Sequence, residues 1–275
     1  MQQFGPAMMK KYNLQIYRPK YEKNEPVIFF GCYSHGAKAW ILNHKGLVVI
    51  VWSGSDSTRL HEVPEFVAYC IRNKHRVFHI AHSHWIQTDL KEFGLEWIDK
   101  VVLPQDFSEF KFSPTQGKNV YHYGSSGNRL FYYGTPLIKK LRDEWKKKDL
   151  PGFYITAPHS YSRKQIIKMY EDSFIGVRLT EHDNMALSCI EMGLMGRYSI
   201  FNGNIPCAIP YPNKPYDHYN IKTRTSWVLT DDSVMDFVKP KILEYRYTPP
   251  SETLAAEMRE FIHDDKKWLD TSFYD

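Results

Sequence analysis

The stretch Val177-Arg-Leu-Thr-Glu-His-Asp-Asn-Met-Ala-Leu-Ser-Cys-Ile-Glu191-Met-Gly-Leu-Met-Gly196-Arg-Tyr-Ser-Ile-Phe201 decides the fold. An apolar run, Ile175 to Leu179, reads as a strand. A polar loop carries Thr180, Glu181, His182 and Asp183. A helix is expected from about Asn184 to Met195, with Asp183 at its entrance. Gly196 stops it where a residue without Cβ takes the left-handed cap cheaply. Tyr198 to Phe201 is the next strand. Asp183 and Glu191 are eight apart, a little over two helical turns, so one face of this helix is expected to carry both. Unpaired N–H groups and the helix dipole make such an entrance an anion site, with a diphosphate as natural guest.

Outward from this unit, strand and helix signals alternate. Strands are expected at Val27 to Gly31, Leu47 to Trp52, Arg76 to Ala81 and within Trp97 to Leu103. Helices are expected at His35 to Asn43, Val63 to Lys74 and Trp85 to Phe93. Pro104 to Lys118 loses periodicity and reads as an interdomain linker. The alternation restarts with a strand at Asn119 to Tyr123 and a helix at Thr135 to Lys147. A strand at Gly152 to Thr156 and a helix at Ser162 to Glu171 come next. Beyond the decisive stretch, Asn202 to Asn213 reads as loop, Trp227 to Leu229 as strand and Asp232 to Glu244 as helix. Ser251 to Leu269 reads as a final helix capped by Ser251. Short buried runs separated by helices predict parallel sheets covered by helices.

At 275 residues, with 43% hydrophobic and 15% aromatic content, the chain has enough apolar mass for one large domain or two smaller ones. No apolar run reaches the ~18–20 residues of a membrane span. The start, Met1-Gln-Gln-Phe-Gly-Pro, lacks a charged n-region and an apolar h-region, so a cytoplasmic location is expected. Cys32, Cys70, Cys189 and Cys207 have no metal spacing and read as reduced. His79, His82 and His84 lack a second ligand cluster, so no metal site is expected. Neither GxGxxG nor a Walker A sequence occurs, which argues against a dinucleotide oxidoreductase and a P-loop NTPase. The net charge of +5 is mild. Much of it lies in Lys139 to Lys148, read either as a solvated helix face or as a landing surface for nucleic acid or an anionic membrane.

The strand, loop, helix, glycine and strand around Asp183 and Glu191 resemble the donor-binding motif of GT-B glycosyltransferases. The closest pattern is that of the large retaining family called glycosyl transferases group 1. That motif is Glu, seven residues, Glu; here Asp183 stands for the first. The match covers about thirty residues, and the rest of the chain agrees by element order. The resemblance implies two Rossmann-like parallel-sheet domains facing a central cleft. The N-terminal, acceptor-side domain would span residues 1–110 and the donor domain 118–250, with residues 251–275 crossing back as a helix onto the N-terminal domain. It also implies a nucleotide-sugar donor and retention at the anomeric carbon, with no metal or other cofactor. Asp183 and the backbone of Asn184, Met185 and Ala186 would hold the sugar and the diphosphate, and Glu191 the ribose. Arg129 matches one member of a basic pair that neutralises phosphate; Arg178 or Lys164 would supply the other.

Ligands of open α/β sheets bind beyond the carboxyl ends of the strands. Those loops therefore supply the remaining candidates. Gly31 allows close backbone approach. The resemblance implies that His82 contacts the transferred sugar and that His159 lies where the nucleobase sits and stacks on it; Asp56, in a loop after a strand, would orient or deprotonate the acceptor. The acceptor is either a cell-surface glycan or a hydroxymethylated DNA base, as in compact phage enzymes acting in a host cytoplasm. A non-catalytic nucleotide-sugar-binding module is the third possibility.

Overall fold

Valine and isoleucine in uninterrupted runs suit strands covered on both faces. β1 (Val27–Phe30), β2 (Val48–Val51) and β3 (Val77–Ile80) form a parallel sheet in the order β1-β2-β3. The computed structural model describes residues 9–10, 13–54, 56–103, 105–124, 133–148, 150–156, 161–180, 186–211 and 233–263. Helices α1 (His35–Asn43), α2 (Pro64–Arg72) and α3 (His84–Glu92) bury Ile41, Phe66, Val67, Ile86 and Leu90 with the sheet residues Val48 and Ile50. Ser34 caps α1 by accepting from the Ala37 N–H at 3.0 Å.

The second sheet is also parallel. β4 (Asn119–Tyr123), β5 (Phe153–Thr156), β6 (Ser173–Val177), β7 (Ser199–Ile200) and β8 (Ala208–Ile209) lie in the order β5-β4-β6-β7-β8. Its helices are α4 (Thr135–Lys146), α5 (Arg163–Glu171), α6 (Leu187–Leu194), α7 (Ser233–Tyr245) and α8 (Glu252–His263). The core gathers Val120, Ile138, Leu141, Trp145, Ile175 and Ile200 with Val238 and Ile242 of α7. Ser162 and Gln165 cap α5 with a reciprocal box. Ser251 caps α8, as expected, by accepting from the Leu254 N–H at 3.1 Å.

The described residues group into two compact units. One holds those up to Asp106 together with Ile262 and His263; the other is Phe107–Phe261. α8 buries Leu254, Ala255 and Met258. A Cβ on Gly193 of α6 would meet the Met258 side chain at 2.9 Å, so α8 packs on α6 within the second unit.

Several expectations change. Phe107 to Lys118 is no free linker: Phe107 and Phe110 are buried, and the Phe110 ring lies 6.0 Å from that of Tyr170. Hydrophobic anchors spaced three apart pack it on the second unit, while Ser108, Glu109, Lys111 and residues 114–116 between and beyond them are exposed. Trp97 to Leu103 yields only a parallel bridge from Ile98 to Ile80. The segment Asn202 to Asn213, expected as loop, contains β8, whose partner β7 supplies the pairing that the local prolines do not forbid. The strand expected at Trp227 to Leu229 lies outside the described residues. Among those residues, no helix is long and apolar enough to cross a membrane.

Candidate functional site

Strand order places the site in the second unit. The chain leaves β4 for β5 on one side, then crosses to β6 on the other, so the winding reverses between β4 and β6. A crevice opens at such a reversal, beyond the carboxyl ends of the two strands. Tyr123 ends β4 and Arg178 directly follows β6. The Arg178 guanidinium carbon lies 4.8 Å from the Tyr123 ring centre and 4.3 Å from that of Tyr133. The two rings meet edge to face at 5.4 Å. Cation–π contact with the two rings fixes the guanidinium plane. Arg178 is 8% exposed, and its backbone N–H is tied to the Ile200 carbonyl at 2.9 Å. The sequence reading held Arg178 only as a substitute cation; topology puts it at the reversal point.

The loop floor is rigid. Gly134 takes φ +66°, and a Cβ there would meet Leu179 at 2.8 Å. His122, fully buried, donates from Nδ1 to the Val177 carbonyl at 2.9 Å and accepts at Nε2 from the Thr135 hydroxyl at 3.1 Å. It joins β4, β6 and the start of α4 directly beneath Arg178. Burial pushes its pKa down to about 4 from 6.5. A lowered histidine pKa means that the unfolded chain binds the proton first. Its contribution is therefore complete above 6.5 and lost as pH falls through about 4. The loss amounts to about 3 kcal/mol. Denaturant unfolding at pH 7 and pH 4.5 should show this fall, and His122→Gln should flatten it; an equally steep slope in the variant would assign the acid sensitivity elsewhere.

The decisive stretch is displaced from its expected form. α6 begins at Leu187, and its N-cap is Ala186, with no side-chain bond to the helix. The cap position is thus Ala186, three residues after Asp183, and α6 starts at Leu187 rather than near Asn184. Apolar Ala186 serves because the cap position requires its extended backbone (φ −67°, ψ 104°), and its carbonyl accepts from the Cys189 and Ile190 N–H groups. The N–H groups of Leu187 and Ser188 have no acceptor inside the helix. Asp183, Asn184 and Met185, like Arg129 and His159, lie outside the described residues. Gly196 does end the turn in the left-handed region, at φ +86°.

Glu191 is buried and its Oε2 accepts from the Tyr170 hydroxyl at 2.6 Å. Arg163 Nη1 approaches Oε1 at 3.9 Å. The same guanidinium donates to Glu109 at 2.9 Å and covers the Phe110 ring at 4.4 Å. Burial first, and then the Glu191 charge, drives the Tyr170 pKa well up, so Tyr170 stays a donor. The sequence reading missed Tyr170 and Arg163. Their only local signal was the capping box that starts α5 at Arg163 and so places both on one helix.

In the first unit, the carboxyl end of the sheet gathers Gly31, Asp56 and His82. Gly31 has φ +79°, and a Cβ there would collide with the Tyr33 ring. The Tyr33 and Ser53 hydroxyls bond at 2.8 Å, closing the turn after β1 onto that after β2. Asp56 clamps the two loops together. It is 1% exposed, and its oxygens accept backbone N–H groups of Cys32 at 2.9 Å, Gly54 at 2.9 Å and Ser53 at 3.3 Å. Burial outweighs these bonds and raises its pKa to about 6. His82 pairs its Nδ1 with Asp99 Oδ1 at 2.9 Å. A carboxylate that accepts the Nδ1 proton orients the imidazole for proton transfer at the other nitrogen. Asp99 was not legible beforehand; the Ile98 bridge to β3 brings it there.

The basic run is a solvated face. Ile138, Leu141 and Trp145 are buried while Lys139, Lys140, Lys146, Lys147 and Lys148 are exposed. Anions interleave with them: Lys148 and Lys239 reach Glu144 at 3.0 and 3.2 Å, and Arg142 reaches Asp143 at 2.8 Å. All four cysteines are buried and free of disulfides. Among the described residues, no group of three or more potential metal ligands occurs.

No protein-family model matches the sequence, and comparison with curated proteins finds no match. Solved structures similar to the chain include the pneumococcal O-GlcNAc transferase GtfA in complex with UDP and GlcNAc, at 13% identity and a TM-score of 0.48. The match covers 98% of this chain and 60% of GtfA. HepE from Anabaena, in complex with UDP and glucose, matches at 10% identity and a TM-score of 0.49, covering 98% of this chain and 81% of HepE. TarM from S. aureus matches at 14% identity and a TM-score of 0.41, covering 87% of this chain and 51% of TarM. The chain thus spans less than two thirds of GtfA and of TarM.

Proposed function

We propose that the chain is a glycosyltransferase that moves a sugar from a nucleoside-diphosphate sugar to a hydroxyl of a glycan. The observation that carries this reading is Arg178, held between Tyr123 and Tyr133 where the second sheet reverses its winding. A buried cation at that point suits a ligand with concentrated negative charge. The leaving group of a nucleotide sugar gains such charge as the glycosidic bond loosens. Fixed positive charge aimed at it lowers the barrier without reorganisation. The N–H groups of Leu187 and Ser188 supply further positive potential at the start of α6.

The resemblance assigns the ribose to Glu191. In that role Tyr170 and Arg163 are positioning residues, which hold its carboxylate in one orientation. The resemblance also assigns Arg129, His159 and Asp183–Met185 to the donor, and it implies retention. The acceptor side is the paired His82 and Asp99 of the first unit. A glycan suits the chain better than DNA, because Arg142 on α4 and the nearby Lys148 and Lys239 are already paired with Asp143 and Glu144.

The test offers labelled UDP-, GDP- and dTDP-sugars with a glycan extract, hydroxymethylated duplex DNA and water, each with and without EDTA. Transfer to glycan that survives EDTA, with the anomeric configuration kept, is the expected result. Loss on chelation with recovery on adding magnesium or manganese would replace the protein cation by a metal. Transfer to DNA alone would change the acceptor, and no consumption of any donor would leave only a binding module.

A further inference from the structure

Away from the carboxyl ends of the strands, the first unit has a recess of about 430 Å³ lined by Tyr17, Pro19, Lys20, Lys23, Trp40 and Asn43. α1 starts beside the carboxyl end of β1 and leads to the start of β2, so its Trp40 and Asn43 lie toward the amino ends of the strands. The eight steps of helix from His35 to Asn43 put roughly 12 Å of helix axis between the recess and the carboxyl ends of the strands.

The lining combines flat apolar faces with polar groups. Trp40 is 50% exposed, a large indole that the core leaves in water. Tyr17 is half-buried and held in place: its ring packs on Phe29 and His44, and its hydroxyl bonds His44 Nδ1 at 3.0 Å. Asn43 donates through Nδ2 to the Ala39 carbonyl at 2.8 Å, which leaves its Oδ1 turned outward as an acceptor. Among the described residues, neither Lys20 nor Lys23 is in an ion pair, and the Lys20 ammonium stands 5.6 Å from the Tyr21 ring centre.

We propose that this recess is a saccharide-binding subsite that holds one or two residues of a glycan chain while the remainder runs past the protein on either side. The recess is open and shallow, where a whole small molecule would be enclosed on most of its surface. An indole face packs against the C–H face of a pyranose, and the ammonium groups and the Asn43 oxygen meet its hydroxyls. Nucleic acid also stacks on aromatics, but it needs a basic track along its backbone. Here Glu22 and Glu25 alternate with Lys20 and Lys23, and Arg18 is already engaged by Glu22. The balance fits hydroxyls or isolated carboxylates better than a phosphate row. Only the preference for glycan over other polymers rests on the sugar-transfer reading.

The experiment uses the full chain on an array of neutral, N-acetylated and uronic-acid oligosaccharides of four to eight residues, with an oligothymidylate of twenty nucleotides alongside. UDP binding is measured separately by calorimetry. The expected result is retention on at least one oligosaccharide class, quenching of Trp fluorescence on binding, and about tenfold weaker retention for Trp40→Ala. Trp40→Phe should keep most of the retention, and UDP affinity should be the same in all three proteins. Retention that Trp40→Ala leaves unchanged would overturn the subsite, as would failure to retain any oligosaccharide. Trp40-dependent capture of the oligothymidylate instead would overturn the saccharide assignment. Loss of UDP binding in the parent protein would count against the transfer reading and leave the oligosaccharide result standing.

Discussion

Arg197→Met should cost the second unit about 5 kcal/mol or more, which is comparable with the whole stability of many domains. Arg197 is 1% exposed, and its guanidinium donates to five backbone carbonyls. Nε bonds Ser173 at 2.8 Å; Nη1 bonds Met195 at 2.6 Å and Ser113 at 3.4 Å; Nη2 bonds Thr115 at 2.9 Å and Glu171 at 3.1 Å. Burial lowers its pKa to about 10, so it remains charged at neutral pH. Methionine fills the volume but removes all five donations, and of the acceptors Met195 keeps the Ser113 N–H at 3.4 Å. Arg197→Lys should lose most of the same energy, because an ammonium has three donors and no planar fork. Urea unfolding of the three proteins checks this; a loss below about 1 kcal/mol in the methionine variant would show that water replaces the guanidinium at no cost.

Arg178→Ala should lower kcat/KM for sugar transfer by about 10²- to 10³-fold, the usual cost of removing a fixed group that meets developing charge. Arg178→Lys should recover little, since lysine cannot lie flat between the Tyr123 and Tyr133 rings. The decisive comparison is kcat/KM with the affinity for free UDP. If Arg178 acts on the leaving group, turnover falls further than UDP binding; equal losses would make it a uniform binding residue. Unaltered turnover in Arg178→Ala would remove Arg178 from the reaction.

Local sequence was most legible where local physics decides. α1 and β4 run where they were expected, at His35–Asn43 and Asn119–Tyr123, because a Ser cap and short apolar runs are local signals. Gly196 likewise announced its left-handed turn. Partners that the topology supplies were not legible. The Arg197 acceptors come from three separate segments, Asp99 reaches His82 through a bridge to β3, and Tyr170 reaches Glu191 from a neighbouring helix. The partners of Asp56 were not legible either: it is enclosed by the backbone of two loops. At the start of α6 the signal itself pointed wrongly. The aspartate favoured for capping stands three residues ahead of Ala186, the residue at the N-cap of α6.

The Arg197 stitch also bears on how the chain is made. Two of its acceptors, Ser113 and Thr115, precede it by 84 and 82 residues. Synthesis at about 5–20 residues per second separates them from Arg197 by roughly 4 to 16 s. During that interval the segment after Asp106 has its apolar anchors but no donor for those carbonyls, which stay hydrated on the nascent chain. Closure of the second unit therefore awaits the emergence of Arg197 from the ribosome. The first sheet, complete by Ile80, meets no such delay. A chain interrupted between Gly196 and Arg197 would carry most of the second sheet's strands and lack the residue that fastens them, making it a substrate for proteolysis and chaperones during translation.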